Sequence, residues 1–308
     1  MLYYFFVDAG RTGAGQEGTS TMAENYVLVT DSACDISPEQ LRDWRVQAVR
    51  LAYLFTDNGE EQLEHDESPK KFYAAMREGR IAKTSSVNQE RFIEFFTPIL
   101  EEGKDILYLS FSSGLSVTCE NARNVASFLQ EKYPGRKIVV VDSLAASAGQ
   151  GLFVFLAVRN RDAGMSLEEN VKALNKDLLH VCHWFTVDDL VYLKRGGRIS
   201  RTTALLGTAL NVKPVLHVDN EGHLIKMSQT HGRKKSIRKL AERLGETILP
   251  DSPVFISHGD CLEDAEMLRG ILKTEYGKEV QIVTYIGAVI GAHSGPGTLA
   301  LFFLGSER

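Results

Sequence analysis

The first half of the chain alternates short apolar runs with amphipathic segments of helical period. Continuous β-branched runs predict buried strands, which are "YVLVTDS" at 26–32, "ILYLSF" at 106–111 and "KIVVVDS" at 137–143. Helical spacing and start signals predict helices over about 37–44, 69–78, 89–102, 118–132 and 145–162. Strands that alternate with helices favour right-handed βαβ units and a parallel sheet covered on both faces.

The pattern changes near residue 165. Ser166 and Glu169 form a capping box that predicts a helix to about 181, and 213–232 has the pattern of an antiparallel hairpin with "DNEG" as its turn. Further helices are predicted over 233–247 and 262–276, between the strands "HWFTV", "PVFISHG" and "EVQIVTYIG". The sequence therefore predicts a two-domain α/β protein, with a parallel-sheet N-terminal domain at 25–164 and a mixed-sheet C-terminal domain at 165–308.

Residues 1–24 differ from the rest. "MLYYFF" is apolar but short and lacks a basic region before it, and "DAGRTGAGQEGTSTM" has the composition of a flexible linker. We expect this segment to be a disordered or non-native extension, and it takes no part in the fold argument.

Composition narrows the class of protein. The chain has 308 residues, 44% hydrophobic and 24% charged, with a net charge of −5, which does not favour nucleic-acid binding. No apolar run approaches the roughly 18 residues of a membrane span, so no integral membrane association is expected. The cysteines are far apart, at Cys34, Cys119, Cys182 and Cys261, which predicts no metal site and a cytoplasmic location.

Hydroxyl side chains gather in three segments that are predicted as loops, each before a predicted helix: 83–88, 110–118 and 141–147. In an open parallel sheet, ligands bind beyond the carboxyl ends of the strands, where helix N-termini favour an anion. Serine and threonine could complete such a site without adding formal charge. The alternative is that these residues only cap their helices.

The segment "GAVIGAHSGPGTLALFF" at 287–303 holds one imidazole, His293, before a glycine–proline turn. Gly295 and Gly297 permit close approach, and such a turn could present N–H groups to an anion. Alternatively, the turn is a tight connection and His293 is a hydrogen-bonded core histidine.

Two basic segments could serve recognition. Arg195 and Arg198 flank a double glycine, a placement that would aim a guanidinium at a carboxylate or phosphate. The run 231–239 is a basic patch in an acidic protein, suited to an acidic partner. Each could equally be solvated charge.

Signatures of several enzyme classes are absent from the sequence. It contains no G-x-S-x-G elbow, no G-x-x-x-x-G-K-[ST] loop, and no G-x-G-x-x-G after the first strand. One enzymatic alternative stays open: a hydrolase or transferase for a small anionic substrate, with His293 as general base beside a loop serine.

Taken together, the motifs resemble those of the DegV family of fatty-acid-binding proteins. They occur in the family's order, as "TDSACDIS" (30–37), "TSSVN" (84–88), "SSGLSVT" (112–118), "VDS" (141–143), "RGGRIS" (195–200) and "HSGPG" (293–297). The resemblance extends from about residue 25 to 308.

The resemblance implies a two-domain fold that holds one long-chain fatty acid between the domains, with no cofactor and no catalytic residue. It implies that Thr84 and Ser116 bind the carboxylate, with Ser85, Ser113 and His293 nearby. Arg198, Arg233 and Gly295 would lie around the head group, where a separate ATP-dependent fatty acid kinase docks. That bacterial kinase makes acyl phosphate for phospholipid synthesis.

The chain departs from the family pattern at two positions. Val87 replaces the usual proline of the first hydroxyl segment, which makes that loop less rigid. Val117 replaces a glycine beside the carboxylate, where a Cβ would crowd close backbone approach.

Overall fold

The computed structural model describes residues 26–199 and 211–308, so the predicted extension at 1–24 lies outside the described residues. The first sheet has four parallel strands in the order β2-β1-β6-β7. Their bounds are β1 Tyr26–Asp31, β2 Val46–Val49, β6 Asp105–Ser110 and β7 Ile138–Asp142. The helices of this half are α1 Pro38–Asp43, α2 Pro69–Arg77, α3 Gln89–Glu101, α4 Thr118–Lys132 and α5 Ala148–Asp162. The predicted parallel sheet is confirmed.

A second, small sheet was not predicted. Its strands are β3 Ala52–Phe55, β4 Glu61–Leu63 and β5 Ala82–Ser85, which form an antiparallel sheet in the order β4-β3-β5. The first hydroxyl segment, 83–88, was predicted as a loop, and that prediction is wrong for its first residues. Thr84 pairs with Tyr53 across the sheet, so a strand rather than a loop holds its side chain.

The second half forms a mixed sheet, as predicted, and its six strands have the order β10-β9-β8-β13-β11-β12. Its strands are β8 Val181–Thr186, β9 Val212–Val218, β10 Leu224–His231, β11 Val254–His258, β12 Ile282–Tyr285 and β13 Leu299–Leu304. Its helices are α6 Leu167–Asp177, α7 Val191–Gly196, α8 Arg233–Thr247, α9 Leu262–Tyr276 and α10 Ala288–Ser294. The capping box of Ser166 and Glu169 is formed at the start of α6.

Helix α5 joins the two halves. Nearly all of its faces are buried, and it packs against strands of both large sheets. Gly149 and Gly151 permit this approach, since a Cβ on Gly149 would lie 2.2 Å from His183 Nε2 and one on Gly151 would lie 2.6 Å from Ile36 Cδ1. One apolar core therefore runs from Leu28 in β1 through α5 to Phe302 in β13.

Within the described ranges, no helix is long and apolar enough to cross a membrane. That part of the chain also contains no group of side chains suited to holding a metal ion. All four cysteines are free thiols.

Candidate ligand-binding cavity

A cavity of about 490 Å³ lies between the two halves of the molecule. Residues from both halves line it, and most of the wall is apolar. The apolar lining includes Leu51, Phe111, Phe185, Leu193, Val218, Leu224, Ile286, Val289, Ile290, Ala300 and Phe302. The polar lining is Thr84, Ser85, Ser86, Ser113, Ser116, Ser147, His183, Arg198, His293, Ser294 and Thr298.

Thr84 and His293 meet at the cavity wall. Thr84 Oγ1 and His293 Nε2 are 2.8 Å apart and share a hydrogen bond. The ring packs closely on α7, because a Cβ on Gly196 would lie 2.1 Å from His293 Nδ1. That Nδ1 is buried and has no hydrogen-bond partner among the described residues. Burial, and then the charge of Arg198, lower the pKa of His293 to about 4, so the ring is neutral near pH 7.

Arg198 links the end of α7, on which the His293 ring packs, to the second hydroxyl segment. Its Nε donates to the carbonyl of Leu115, at 3.2 Å, and its Nη1 donates to the carbonyl of Gly196. Arg198 as a whole is an exposed residue. It supplies a positive charge beside an otherwise neutral group of hydroxyls and imidazole, an arrangement that favours an anion.

Ser116 has a structural contact as well as a place in the cavity wall. Its Oγ lies 2.9 Å from Thr118 Oγ1 and accepts a hydrogen bond from the amide of Thr118 at the start of α4. Thr118 Oγ1 also accepts from the amide of Val87, so the segments that carry Thr84 and Ser116 are tied together. Ser85 and Ser113 line the cavity at exposed positions.

Val87 and Val117, which depart from the family pattern, lie in different environments. Val87 is fully buried and belongs to the apolar core that includes Val29 and Phe92. This packing holds the loop in position, where the family's proline would restrict the backbone. Val117 lines the cavity beside Ser116, so its side chain does lie at the predicted site. It is 58% exposed and its φ of −77° is compatible with any residue.

Arg233 and Gly295 do not line the cavity. Arg233 Nε donates to Asp264 Oδ2 at 2.9 Å, and its Nη2 donates to the carbonyl of Gly297 at 2.6 Å. Gly295 has a φ of 83°, and a Cβ there would lie 2.3 Å from Tyr192 Cδ2. Both residues therefore hold the turn that follows α10, outside the wall of the cavity.

Sequence reasoning did not single out Ser147 or His183. Ser147 has φ 55° and ψ −149°, a backbone conformation almost restricted to glycine, and its hydroxyl is buried against Asp35 and Ser257. Burial lowers the pKa of His183 well below its usual value, so this ring is neutral. The hydroxyl segment 141–147 was the only sequence signal for Ser147.

A catalytic arrangement around His293 is not present in the described part of the chain. The ring bonds to Thr84 rather than to a serine, and no carboxylate orients its other nitrogen. In a catalytic triad the histidine has a nucleophile on one nitrogen and an orienting acidic partner on the other, and the second of these is missing here. The geometry does not favour the hydrolase or transferase alternative.

Comparison with known proteins agrees with this architecture. The sequence profile of the DegV family, described as a family of uncharacterised proteins, matches residues 25–306. A DegV domain-containing protein of Clostridium perfringens is 40% identical over 92% of this chain and 99% of its own.

Solved structures of the family are also similar. A DegV family protein from Thermus thermophilus, described as fatty-acid binding, is 30% identical with a TM-score of 0.81, over 91% of this chain and 99% of its own. A stearic acid-binding protein from Eubacterium ventriosum is 25% identical with a TM-score of 0.83, over 91% and 98%.

Proposed function

Because this chain belongs to the DegV family, we propose that it binds one long-chain fatty acid in the cavity between its two domains. The carboxylate binds at the end formed by Thr84, Ser116 and His293, with Ser85, Ser113 and Arg198 around it. The acyl chain occupies the apolar remainder. The observation that carries the proposal is the 2.8 Å contact between Thr84 and His293 in the wall of a largely apolar cavity.

The apolar part of the cavity wall supplies the affinity for the ligand, and the polar part sets its orientation. Each methylene that leaves water contributes about 0.8 kcal/mol, so a long acyl chain supplies most of the binding free energy. Hydroxyls, a neutral imidazole and the Arg198 guanidinium supply hydrogen bonds to the carboxylate, which fix the direction of the chain. Arg233 and Gly295 support this end through the turn after α10 rather than through direct contact.

The protein acts as a carrier and not as a catalyst in this proposal. A separate cytoplasmic kinase transfers the γ-phosphoryl group of ATP to an oxygen of the bound carboxylate, which gives acyl phosphate and ADP. The exposure of Arg198, which also lines the cavity beside the hydroxyl segments, supports a head group that a partner can reach. Incubation of the loaded protein with ATP and a candidate kinase tests this step by the appearance of ADP.

Native mass spectrometry of the purified protein tests lipid binding directly. We expect an added mass equal to one fatty acid, which solvent extraction removes and added palmitate or oleate restores. Protein that is recovered free of lipid and takes up neither acid would overturn the proposal.

A further inference from the structure

Two buried carboxylates lie at the start of α10, outside the cavity wall. Glu64 is 2% exposed and Asp35 is 3% exposed. No lysine or arginine side chain in the described ranges forms an ion pair with either carboxylate. The nearby Arg50 donates to the backbone carbonyl of Glu64 and pairs with Asp66 instead. A buried carboxylate is costly unless hydrogen bonds compensate for the lost water.

Backbone amides of α10 supply those hydrogen bonds. Glu64 Oε1 accepts from the amide of Ala288 and Glu64 Oε2 accepts from that of Val289, at 2.8 Å. Asp35 Oδ1 accepts from the amide of Gly287 at 3.0 Å. The first amides of a helix have no partner within the helix, so these two carboxylates satisfy them from elsewhere in the chain.

Gly287 makes this arrangement possible. It occupies the N-cap position of α10 but has no side chain with which to cap the helix. A Cβ on Gly287 would lie 2.4 Å from Glu64 Oε1 and 3.0 Å from Asp35 Oδ1. A serine or aspartate cap at this position is therefore excluded by the carboxylates that replace it.

Helix α10 carries one side of the cavity. Val289, Ile290, His293 and Ser294 all belong to it and all line the wall. The two acids come from the N-terminal domain, as does Thr84, the partner of His293. Asp35 also accepts a hydrogen bond from the hydroxyl of Ser147, another residue of the wall.

From these contacts we infer that Asp35 and Glu64 are positioning residues of the head-group site, which hold α10 so that His293 stands against Thr84. The inference rests on the proposed function, because it assigns the two acids a role in carboxylate binding. They act through α10 and do not touch the ligand.

The ratio of affinities for palmitic acid and cetyl alcohol measures this role. The two ligands have the same chain length, so the ratio reports the head-group end and not the apolar wall. Glu64→Gln keeps one acceptor but turns an amide donor toward a backbone amide. We expect it to lower the acid-to-alcohol ratio on the order of tenfold, measured by displacement of a fluorescent fatty acid.

Asp35 provides a second test, since Asp35→Ala removes the acceptor for Gly287. Asp35→Asn keeps that acceptor. We expect its ratio of affinities for palmitic acid and cetyl alcohol to stay closer to the wild-type ratio than that of Asp35→Ala. The matched control is Glu60→Gln, an exposed glutamate four positions before Glu64. If Glu64→Gln does not fold, Glu64→Asp keeps the charge but is too short to reach both amides, and the same loss is expected.

The outcomes separate this inference from the proposed function. Wild-type protein that binds neither ligand refutes the proposed function. Wild-type protein that prefers palmitic acid, with an unchanged ratio in the Glu64 and Asp35 variants or an equal loss in Glu60→Gln, refutes the positioning role alone.

Discussion

The side chains of Thr84 and His293 are hydrogen-bonded although 209 positions separate them in the chain. Thr84 projects from the small antiparallel sheet in the first half of the chain, and His293 lies on α10 in the second half. The polar end of the cavity is therefore assembled from both halves of the chain. Ligand binding at this end should respond to substitutions in either half.

Removal of the Thr84 hydroxyl should weaken fatty-acid binding. A hydrogen bond to a charged group contributes about 1.5–3 kcal/mol, so we expect Thr84→Ala to raise the dissociation constant for palmitate about 10- to 100-fold. Isothermal titration calorimetry measures this change. Thr84→Ser retains the hydroxyl and should lose much less affinity, whereas equal losses in both variants would contradict a role for the hydroxyl.

His293 should gain basicity when a fatty acid binds. Its pKa is lowered from 6.5 to about 4 in the free protein, so the ring stays neutral at about pH 7. A neighbouring carboxylate favours the imidazolium, and we expect the titration midpoint to rise by about one unit or more with palmitate bound. NMR of the ring protons follows this shift, with His293→Gln to assign the signal. An identical midpoint in both states would place the carboxylate elsewhere.

Much of the fold was predictable because it depends on local patterns. The spacing of apolar residues and the flanking caps predicted α4 and α9 with their observed ends, 118–132 and 262–276. The small sheet was not predicted, because its strand β5 has only four residues, most of them polar. The segment becomes a strand by pairing with β3. A strand of that kind is defined by its neighbour and not by its own periodicity.

In the candidate site, too, the residues within local motifs were predictable and those placed by distant contacts were not. Motifs pointed to Thr84, Ser116 and His293, which the structure places in one cavity wall. Nothing local distinguishes Glu64, in the polar segment "EQLEHDESP", from a solvated surface charge. Glu64 is buried because it contacts α10, more than 200 positions later in the chain. Arg233 likewise donates to a carbonyl in the turn after α10, a contact that no local sequence pattern predicts.

Ionisation of Glu64 should reduce stability as the pH rises. Burial raises its pKa from 4.5 to about 7, so between these values the folded state binds protons that the unfolded state has released. Buried histidines make the free energy of unfolding rise with pH in part of this range. The informative quantity is therefore the difference in free energy of unfolding between Glu64→Gln and wild type. From about pH 4.5 to 7 this difference should shift in favour of the variant by up to about 3 kcal/mol. Urea unfolding across this range measures it, and a constant difference would show that Glu64 ionises normally.

Arg233 should matter for the stability of the turn after α10. Arg233→Ala removes the ion pair with Asp264 and the hydrogen bond to the carbonyl of Gly297, both partly buried. We expect a loss of about 1–3 kcal/mol in the free energy of unfolding. Arg233→Lys should recover little, because one ammonium cannot reproduce the fork. Unfolding by urea checks both variants, and full stability in Arg233→Ala would show that the turn does not depend on this contact.

A methyl group at Gly196 should displace His293 and weaken binding. Gly196 lies in α7, and its Cβ would stand 2.1 Å from His293 Nδ1, so the ring must move away from Thr84. Gly270, in α9, is a matched control because a Cβ there meets nothing within 4 Å. Alanine in place of glycine within a helix contributes up to about 1 kcal/mol where space permits. Gly270→Ala should therefore stabilise the protein and leave palmitate binding unchanged, whereas Gly196→Ala should lower the affinity about tenfold. Equal affinities in the two variants would mean that the position of the His293 ring does not determine how the carboxylate is held.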